Sequence, residues 1–596
     1  HNFRVAGNMM KEKKAKGSAY TAPTYTFRGF EALPDDPKHP DDDKFYGFVF
    51  QDTDFSKWIE AVAYSLAQHP DEKLEATADE AIDIVCAAQL EYGYLDTYYI
   101  INGMDQSFTN LKDHHELYCL GHLVEGAVAY YEATGKDKLL KAACRFADYV
   151  DSYFGPEEGK CKGYPGHEIA EMALVRLYQV TGEEKYLKLS SFFLNQRGTE
   201  PKYFRLEDEA RAKAEGTSFK PDMSPLSYSY YQAHARVQSQ DEALGHSVRA
   251  AYLYSGMADV ARLTNDEEMY AACKSLWKSV TRDKMYVTGG IGATHMGEAF
   301  SFPFDLPNDT AYSETCAAIG LAFFARRMLE IEADSHYGDV LEQSLYNTVL
   351  SGMALDGKSF FYVNPLESKG DHHRQEWYGC ACCPSQLSRF LPSIGNYIYA
   401  SSDDALWVNL YIGNTGQIRI GETDILLTQE TDYPWDGSVK LTISTSQPLE
   451  KEIRLRIPNW CKTYDLSING KRINVSEEKG YAVIKDWKSQ DVIALDMDMP
   501  VEIVAADPHV KENFGKRAIQ RGPLVYCMEE IDNPVYFDQI QLSPSTTFQT
   551  AFASDILNGI KTIKTNGRAQ SATFIPYYAW DNRKAGKMRV WIPYNE

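Results

Sequence analysis

A repeated pairing of amphipathic segments between residues 54 and 400 constrains the fold of this chain more than anything else in it. Residues 55–67 and 71–89 carry apolar residues at helical spacing and predict a first helical pair, followed by the loop Glu91-Tyr92-Gly93-Tyr94-Leu95-Asp96-Thr97. Later units follow one pattern. Gly121-His122-Leu123-Val124 opens a helix closing near Ala133-Thr134-Gly135, before Lys138-Leu139-Leu140 opens its partner. Gly166-His167-Glu168-Ile169 opens the next, closing near Val180-Thr181-Gly182, and Gly245-His246-Ser247-Val248 another, closing near Leu263-Thr264-Asn265. Ser313-Glu314-Thr315-Cys316 opens the last, closing near Glu332-Ala333-Asp334. Each unit reads as a helical hairpin joined at its far end by a Gly- or Asn-containing C-cap.

Such hairpins form either an open solenoid or a closed double ring of helices. The repeated position favours the ring. His122, His167, His246 and Glu314 each start the first helix of a unit, so closure gathers them at one mouth as a binding site. A single histidine at a helix start is usually a cap or a surface residue. Three in register are harder to explain that way, because Ser, Thr or Asp would cap equally well.

Near Leu406 the period switches to two. Leu406-Trp407-Val408-Asn409-Leu410-Tyr411-Ile412, Val439-Lys440-Leu441-Thr442-Ile443-Ser444 and Ile453-Arg454-Leu455-Arg456-Ile457 read as strands, with turns at Trp435-Asp436-Gly437 and Asn469-Gly470-Lys471. The expectation is a helical domain over 1–400, then an antiparallel β-sandwich over 401–505. Residues 506–575 are less regular and read as a smaller inserted β module, with 576–596 returning to complete the first sandwich. Residues 1–50, with Lys11-Glu12-Lys13-Lys14 and Asp41-Asp42-Asp43, read as an irregular, solvated stretch.

Composition narrows the partners. A length of 596 residues implies two to four domains, and 44% hydrophobic with 24% charged residues describes a soluble globular protein. A net charge of −23 argues against nucleic acid or an anionic membrane surface as partner, and no apolar run reaches the length of a membrane span. Eleven cysteines, an odd number mostly scattered singly, point to a reducing compartment and hence to the cytoplasm. The chain opens on His1 rather than Met, so the lack of a leader sequence argues nothing.

Gly379-Cys380-Ala381-Cys382-Cys383-Pro384-Ser385 sets three of those cysteines within four positions. Cys382 and Cys383 are poorly placed to bond each other, since a disulfide between neighbours closes a strained ring. Zinc is the usual partner of clustered thiolates, generally in a tetrahedral set of four. Glu314 and Cys316, a carboxylate and a thiol two residues apart, complete an expected set of Glu314, Cys316, Cys382 and Cys383. Two plainer readings stand beside it. Free cysteines are most often small buried hydrophobes, the reading accepted for Cys86, Cys119, Cys144, Cys273 and Cys527. A Cys-rich closed shell is also the norm for a structural zinc. Cys380 reads as a packing residue, a thiol beside the ligands or a spare ligand.

The glycines of Val287-Thr288-Gly289-Gly290-Ile291-Gly292 lack the Lys-Ser/Thr ending of a phosphate loop. Glu298 follows, a single carboxylate in a loop of Gly, Thr, Phe and Pro. Apolar surroundings raise a carboxyl pKa, which suits a general acid. Asp305 and Asp309 compete for that role, although Asn308-Asp309-Thr310 looks more like turn chemistry.

Gly297-Glu298, Asp305-Leu306-Pro307-Asn308-Asp309-Thr310, Glu314-Thr315-Cys316 and Gly379-Cys380-Ala381-Cys382-Cys383-Pro384, taken together, resemble glycoside hydrolase family 127, the family of bacterial β-L-arabinofuranosidases. The likeness extends to Val49-Phe50-Gln51-Asp52, Gly121-His122, Gly245-His246, Arg456-Ile457-Pro458-Asn459-Trp460 and Arg521-Gly522-Pro523-Leu524-Val525-Tyr526. It implies an (α/α)6 barrel followed by β-sandwich domains. It also implies a zinc on Glu314, Cys316, Cys382 and Cys383, Cys382 as nucleophile, Glu298 as general acid/base, and sugar contacts from His122, His167, His246 and Tyr362. The implied activity is a retaining exo-glycosidase releasing L-arabinose from terminal β-L-arabinofuranosides, or the same chemistry on another rare plant-wall or pectic sugar. The partner is then an oligosaccharide or glycoside, and the β region offers a surface for a homodimer. Two other classes compare poorly. A hydrolase using zinc-bound water needs an open position and His-rich ligands. A carbohydrate-binding protein with a structural zinc explains the cysteines but not Glu298 or the histidines in register.

Overall fold

The computed structural model describes residues 1–16, 31–34, 38–219, 225–446, 450–535, 537–565 and 571–595. They divide into two compact units, His1–Ser279 with Gly379–Pro392, and Val280–Tyr378 with Ser393–Glu596.

The first unit is helical. Four hairpins pair Asp52–Gln68 with Glu72–Ala87, Glu116–Thr134 with Lys138–Tyr153, Ala170–Thr181 with Glu184–Gln196, and Ser247–Thr264 with Glu267–Lys278. Their composition sets their place. Glu116–Thr134 is buried without a break from Glu116 to Tyr130, whereas Lys138–Tyr153 buries one stripe of Leu139, Leu140, Ala143, Phe146, Ala147 and Val150. A helix apolar all round belongs inside and a striped one outside. Accordingly the first helices of successive hairpins pack on one another, and Cys382–Phe390 packs on Asp52–Gln68. Gly135, Gly182 and Asn265 end three of these inner helices with φ of +73°, +74° and +54°. A Cβ at Gly135 or Gly182 would meet nothing within 4 Å, so glycine serves the left-handed backbone there and not a close contact.

Two expectations are corrected in this unit. Residues 1–50 are not irregular throughout, because Asn2–Lys16 is a helix that buries Val5 and Ala6 and packs on Glu72–Ala87. Its basic run masked a short apolar face. His122 does not start its helix but is the seventh residue of Glu116–Thr134. The polar Glu116 and the half-polar run before it hid an extra two turns.

The second unit holds a further hairpin, Thr315–Ile331 with Ser335–Ser344, whose first helix ends on an extended Glu332 (φ −137°) in place of a left-handed cap. Three sheets follow. The first has six antiparallel strands in the order Lys471–Arg472, Tyr464–Ile468, Val492–Met497, Ser438–Thr445, Thr423–Thr431, Asn414–Ile420. Val439, Leu441 and Ile443 alternate with exposed Lys440, the period-two pattern of a half-buried strand. The second runs Ser476–Glu478, Tyr481–Ile484, Glu452–Arg456, Ala405–Val408, Tyr399–Ser401, with one parallel pair between Ala405–Val408 and Glu452–Arg456. Fully buried Arg456 ties that sheet to the hairpin, with Nη1 2.6 Å from Asp339, while Trp460 donates to Glu342 at 3.2 Å. The Arg-Ile-Pro-Asn-Trp motif is thus a structural clamp.

The third sheet contains Val501–Val504, Lys516–Arg521, Leu524–Glu529, Thr573–Pro576, Ile560–Thr565 and Phe548–Ala553. Residues 576–596 do not return to the first sandwich: Met588–Arg589 pairs with Leu524–Glu529, and Ile592–Pro593 with Lys516–Arg521. Two-residue strands carry too little alternation to announce a partner. Among the described residues no helix is long and apolar enough to cross a membrane.

Candidate active site

In the first unit the three expected histidines converge around a tyrosine. Tyr118, one turn before His122 on the same helix face, sets its ring 4.5 Å from His122 and 4.3 Å from His167. His167 lies 5.7 Å from His246 and 5.6 Å from His115. Gly121 makes this approach possible, because a Cβ there would come within 2.5 Å of Ile169 and 2.9 Å of the Ala170 nitrogen. His167 precedes the helix Ala170–Thr181, and His246 is the N-cap of Ser247–Thr264.

Hydrogen bonds assign the ring tautomers. His167 Nδ1 donates to the Glu168 carbonyl at 3.0 Å, leaving Nε2 as an acceptor. His246 Nδ1 accepts from the Val248 amide at 3.2 Å, so in the neutral ring Nε2 carries the proton. His122 is completely buried and neither ring nitrogen has a hydrogen-bond partner among the described residues. Buried polar atoms without partners are rare in folded proteins, and in a cleft they point to a ligand. Burial holds His115, His122 and His167 well below the usual imidazole range, with Arg249 adding to the effect on His115 and His167 and Lys57 on His122. These rings are neutral at physiological pH.

The loop bearing His167 is clamped from behind. Arg197, fully buried, pairs with Glu168 at 2.9 Å and Glu171 at 3.1 Å and donates to the Pro165 carbonyl at 2.6 Å. Burial still pushes Glu168 up to about 8 against the pull of Arg197.

In the second unit Glu298 sits in a tight turn, with φ of +71° at Gly297 and +52° at Glu298 itself. A non-glycine residue in the left-handed region costs of order 1 kcal/mol and concentrates at functional sites. Backbone bonds between Thr294 and Ala299 (3.1 and 3.2 Å) close the turn, and the Tyr312 hydroxyl donates to Glu298 Oε1 at 2.6 Å. Glu314 is the N-cap of Thr315–Ile331 and Cys316 its second residue, both buried. The Thr315 amide donates to the Tyr362 carbonyl at 3.0 Å, which fixes Tyr362 beside this helix start. Of the competing acids, Asp305 accepts from Ser301, while Asp309 is exposed and pairs with Lys369 at 3.5 Å.

Cys382 and Cys383 are the first two residues of Cys382–Phe390, where unpaired backbone N–H groups favour negative charge, and their sulfurs are 4.0 Å apart. None of the eleven cysteines is joined in a disulfide. One carboxylate oxygen of Glu314 and the sulfurs of Cys316, Cys382 and Cys383 all lie within 4.8 Å of one another, a buried cluster that could hold a metal ion. Carboxylate oxygens of Glu298 and Glu314 also approach within 4.8 Å. Cys380 is hydrogen-bonded to Cys382, which together with burial pushes its own thiol up, so it accompanies the cluster as a neutral thiol.

Sequence reasoning missed Tyr118, His115, Arg249 and Tyr312. Tyr118 and His115 were within reach of it, lying four and seven residues before His122 on one helix face. Arg249, stacked 4.9 Å from both the Tyr230 and Tyr231 rings, carried no such signal.

The sequence model of the β-L-arabinofuranosidase GH127 catalytic domain matches residues 4–396. The chain belongs to glycoside hydrolase family 127. The family's middle and C-terminal domain models match residues 405–499 and 501–593, so the second boundary falls where Val501–Val504 joins the third sheet. A non-reducing end β-L-arabinofuranosidase of Bifidobacterium longum is 39% identical over 92% of this chain and 90% of its own length. The crystal structure of a GH127 β-L-arabinofuranosidase from Geobacillus stearothermophilus T6 superposes with a TM-score of 0.90, at 43% identity over 100% of this chain and 93% of that one. A second GH127 β-arabinofuranosidase structure gives 0.85 at 39% identity, over 100% and 91% of the two chains. The fold class is therefore a helical N-terminal part followed by C-terminal antiparallel sheet domains, with which the expected (α/α)6 barrel is consistent, and the protein is a glycoside hydrolase acting on glycosides.

Proposed function

We propose that this enzyme is a retaining exo-β-L-arabinofuranosidase in which Cys382 is the nucleophile and Glu298 the general acid/base. The observation that carries the reading is the convergence of Glu314, Cys316, Cys382 and Cys383 with a second carboxylate, Glu298, at the same Glu314. The β-L-arabinofuranosidase activity of the relatives from Bifidobacterium and Geobacillus supports the sugar.

Three sulfurs and one carboxylate oxygen are the donor set that suits zinc, and Glu314, Cys316, Cys382 and Cys383 would hold it. Zinc bound there keeps thiols ionised at neutral pH and restrains them. In the reaction, Glu298 gives its proton to the departing glycosidic oxygen while Cys382 Sγ attacks the anomeric carbon from the opposite face. Glu298, now a carboxylate, takes a proton from water, which cleaves the thioglycosyl bond and returns the thiolate. Two displacements retain the anomeric configuration, as in the two-carboxylate glycosidases, with sulfur in place of the nucleophilic oxygen. His122, His167, His246 and Tyr362 hold the sugar hydroxyls, the neutral rings of His122 and His167 serving as fixed donors and acceptors.

Release of arabinose from a synthetic aryl β-L-arabinofuranoside, under reducing conditions with zinc present, tests this. The expected result is turnover that a chelator abolishes while the helical circular dichroism persists. Loss of the fold together with the metal would make the zinc structural, and absence of turnover by folded, metal-loaded enzyme would move the reading to another sugar.

A further inference from the structure

We propose that a cleft formed within residues 295–378 is the subsite for the leaving group, and that it takes the next residue of a saccharide chain. The inference rests on Glu298 being the acid/base. The cleft has a volume of about 520 Å³, inside the range of roughly 300–1,000 Å³ for small-ligand sites, and its lining includes His295, Asp309, Tyr362, Lys369, Gln375 and Tyr378.

Its wall begins one side chain from Glu298. Tyr312, whose hydroxyl donates to Glu298 Oε1, meets the His295 ring at 4.8 Å and the Tyr362 ring at 6.2 Å, and Tyr362 meets Tyr378 at 5.5 Å. A general acid delivers its proton to the oxygen that departs with the leaving group, so that group must extend from Glu298 into adjoining space. The cleft along this aromatic run is such a space.

The wall is built to hold its shape. The Tyr362 amide donates to the Tyr378 hydroxyl at 3.1 Å, that hydroxyl donates to the Phe360 carbonyl at 2.9 Å, and Phe360 and Gln375 exchange two backbone hydrogen bonds of 2.8 and 3.0 Å. Opposite chemistry marks the rim, where exposed Asp309 and Lys369 form an ion pair and exposed Gln375 offers an amide. Aromatic faces beside hydroxyl-binding side chains suit a sugar ring, which has C–H faces and polar edges. A purely apolar leaving group would strip water from Asp309 and Gln375 and give no hydrogen bond in return.

The test compares kcat/KM for a β-L-arabinofuranosyl disaccharide with that for methyl β-L-arabinofuranoside, two substrates with similar alkoxide leaving groups, in the wild-type enzyme and an Asp309→Ala/Gln375→Ala double variant. The expected result is a disaccharide-to-methyl ratio about tenfold lower in the variant, the loss of one or two hydrogen bonds made only by the longer leaving group. An unchanged ratio, whether both rates hold or both fall together, would overturn the subsite. Hydrolysis of neither glycoside by wild-type enzyme would instead overturn the arabinofuranosidase reading and the subsite with it.

Discussion

The histidine cluster and the Glu298 turn hold their functional groups in opposite ways. His122, His167 and His246 sit in or beside helices, clustered ring to ring, with the His167 loop backed by the buried Arg197 pairs. Glu298 is half-buried on a left-handed backbone, near an 85% exposed Met296 and hydrogen-bonded by the Tyr312 hydroxyl. In the proposed roles, His122 and His167 present fixed donors and acceptors and gain from burial that keeps them neutral. As the proposed acid/base, Glu298 must release a proton and take one from water, which needs access to solvent, and it tolerates local strain because its turn is closed by backbone bonds.

The comparison is most exposed at Glu298. Glu298→Gln should lower kcat/KM, which reports the first displacement alone, by about 10²- to 10⁴-fold on substrates with poor leaving groups and much less on activated aryl glycosides, with the fold unchanged. An equal loss on both would remove it from the acid role. Next comes the clamp. Arg197→Met leaves Glu168 and Glu171 buried without their cation, and denaturant unfolding should show a loss of roughly 3–5 kcal/mol. Full stability in that variant would mean the two carboxyls already share the burden as neutral acids.

His122→Leu sharpens the contrast, because function and stability should move in opposite directions. Replacing a buried imidazole without hydrogen-bond partners should raise stability by about 1 kcal/mol while kcat/KM falls about tenfold. The smallest effect is its pH dependence. Burial depresses the folded-state pKa of His122 below the ordinary 6.5, so its contribution is fully present above pH 6.5 and is lost as pH falls towards the folded value. The variant's advantage in thermal midpoint should therefore widen from pH 8 to pH 5. A constant difference would show that His122 titrates normally.

How much of this was legible in the sequence differs between the same regions. Periodicity carried the helical hairpins, since a stripe such as Leu139-Leu140-Ala143-Phe146 has one helical reading. The clustered cysteines carried their grouping with Glu314 and Cys316, because few folds gain from adjacent thiols. Register of the histidines carried their convergence, even though His122 lies two turns inside its helix. The buried backing of Arg197 and the Tyr312–Glu298 bond carried no local signal, because each joins residues far enough apart that only the folded chain defines them. The same holds for Met588–Arg589, whose sheet is decided by Leu524–Glu529.

The central claim is that sulfur, not oxygen, bonds to the sugar during turnover. Rapid acid quench of the zinc-loaded enzyme with an activated, slowly released β-L-arabinofuranoside, followed by peptide mass spectrometry, tests it directly. The account predicts one pentosyl group on the peptide containing Cys382, accumulating further in Glu298→Gln because the second step lacks its base. A pentosyl group on a carboxylate, or product of inverted configuration with no adduct at all, would contradict it.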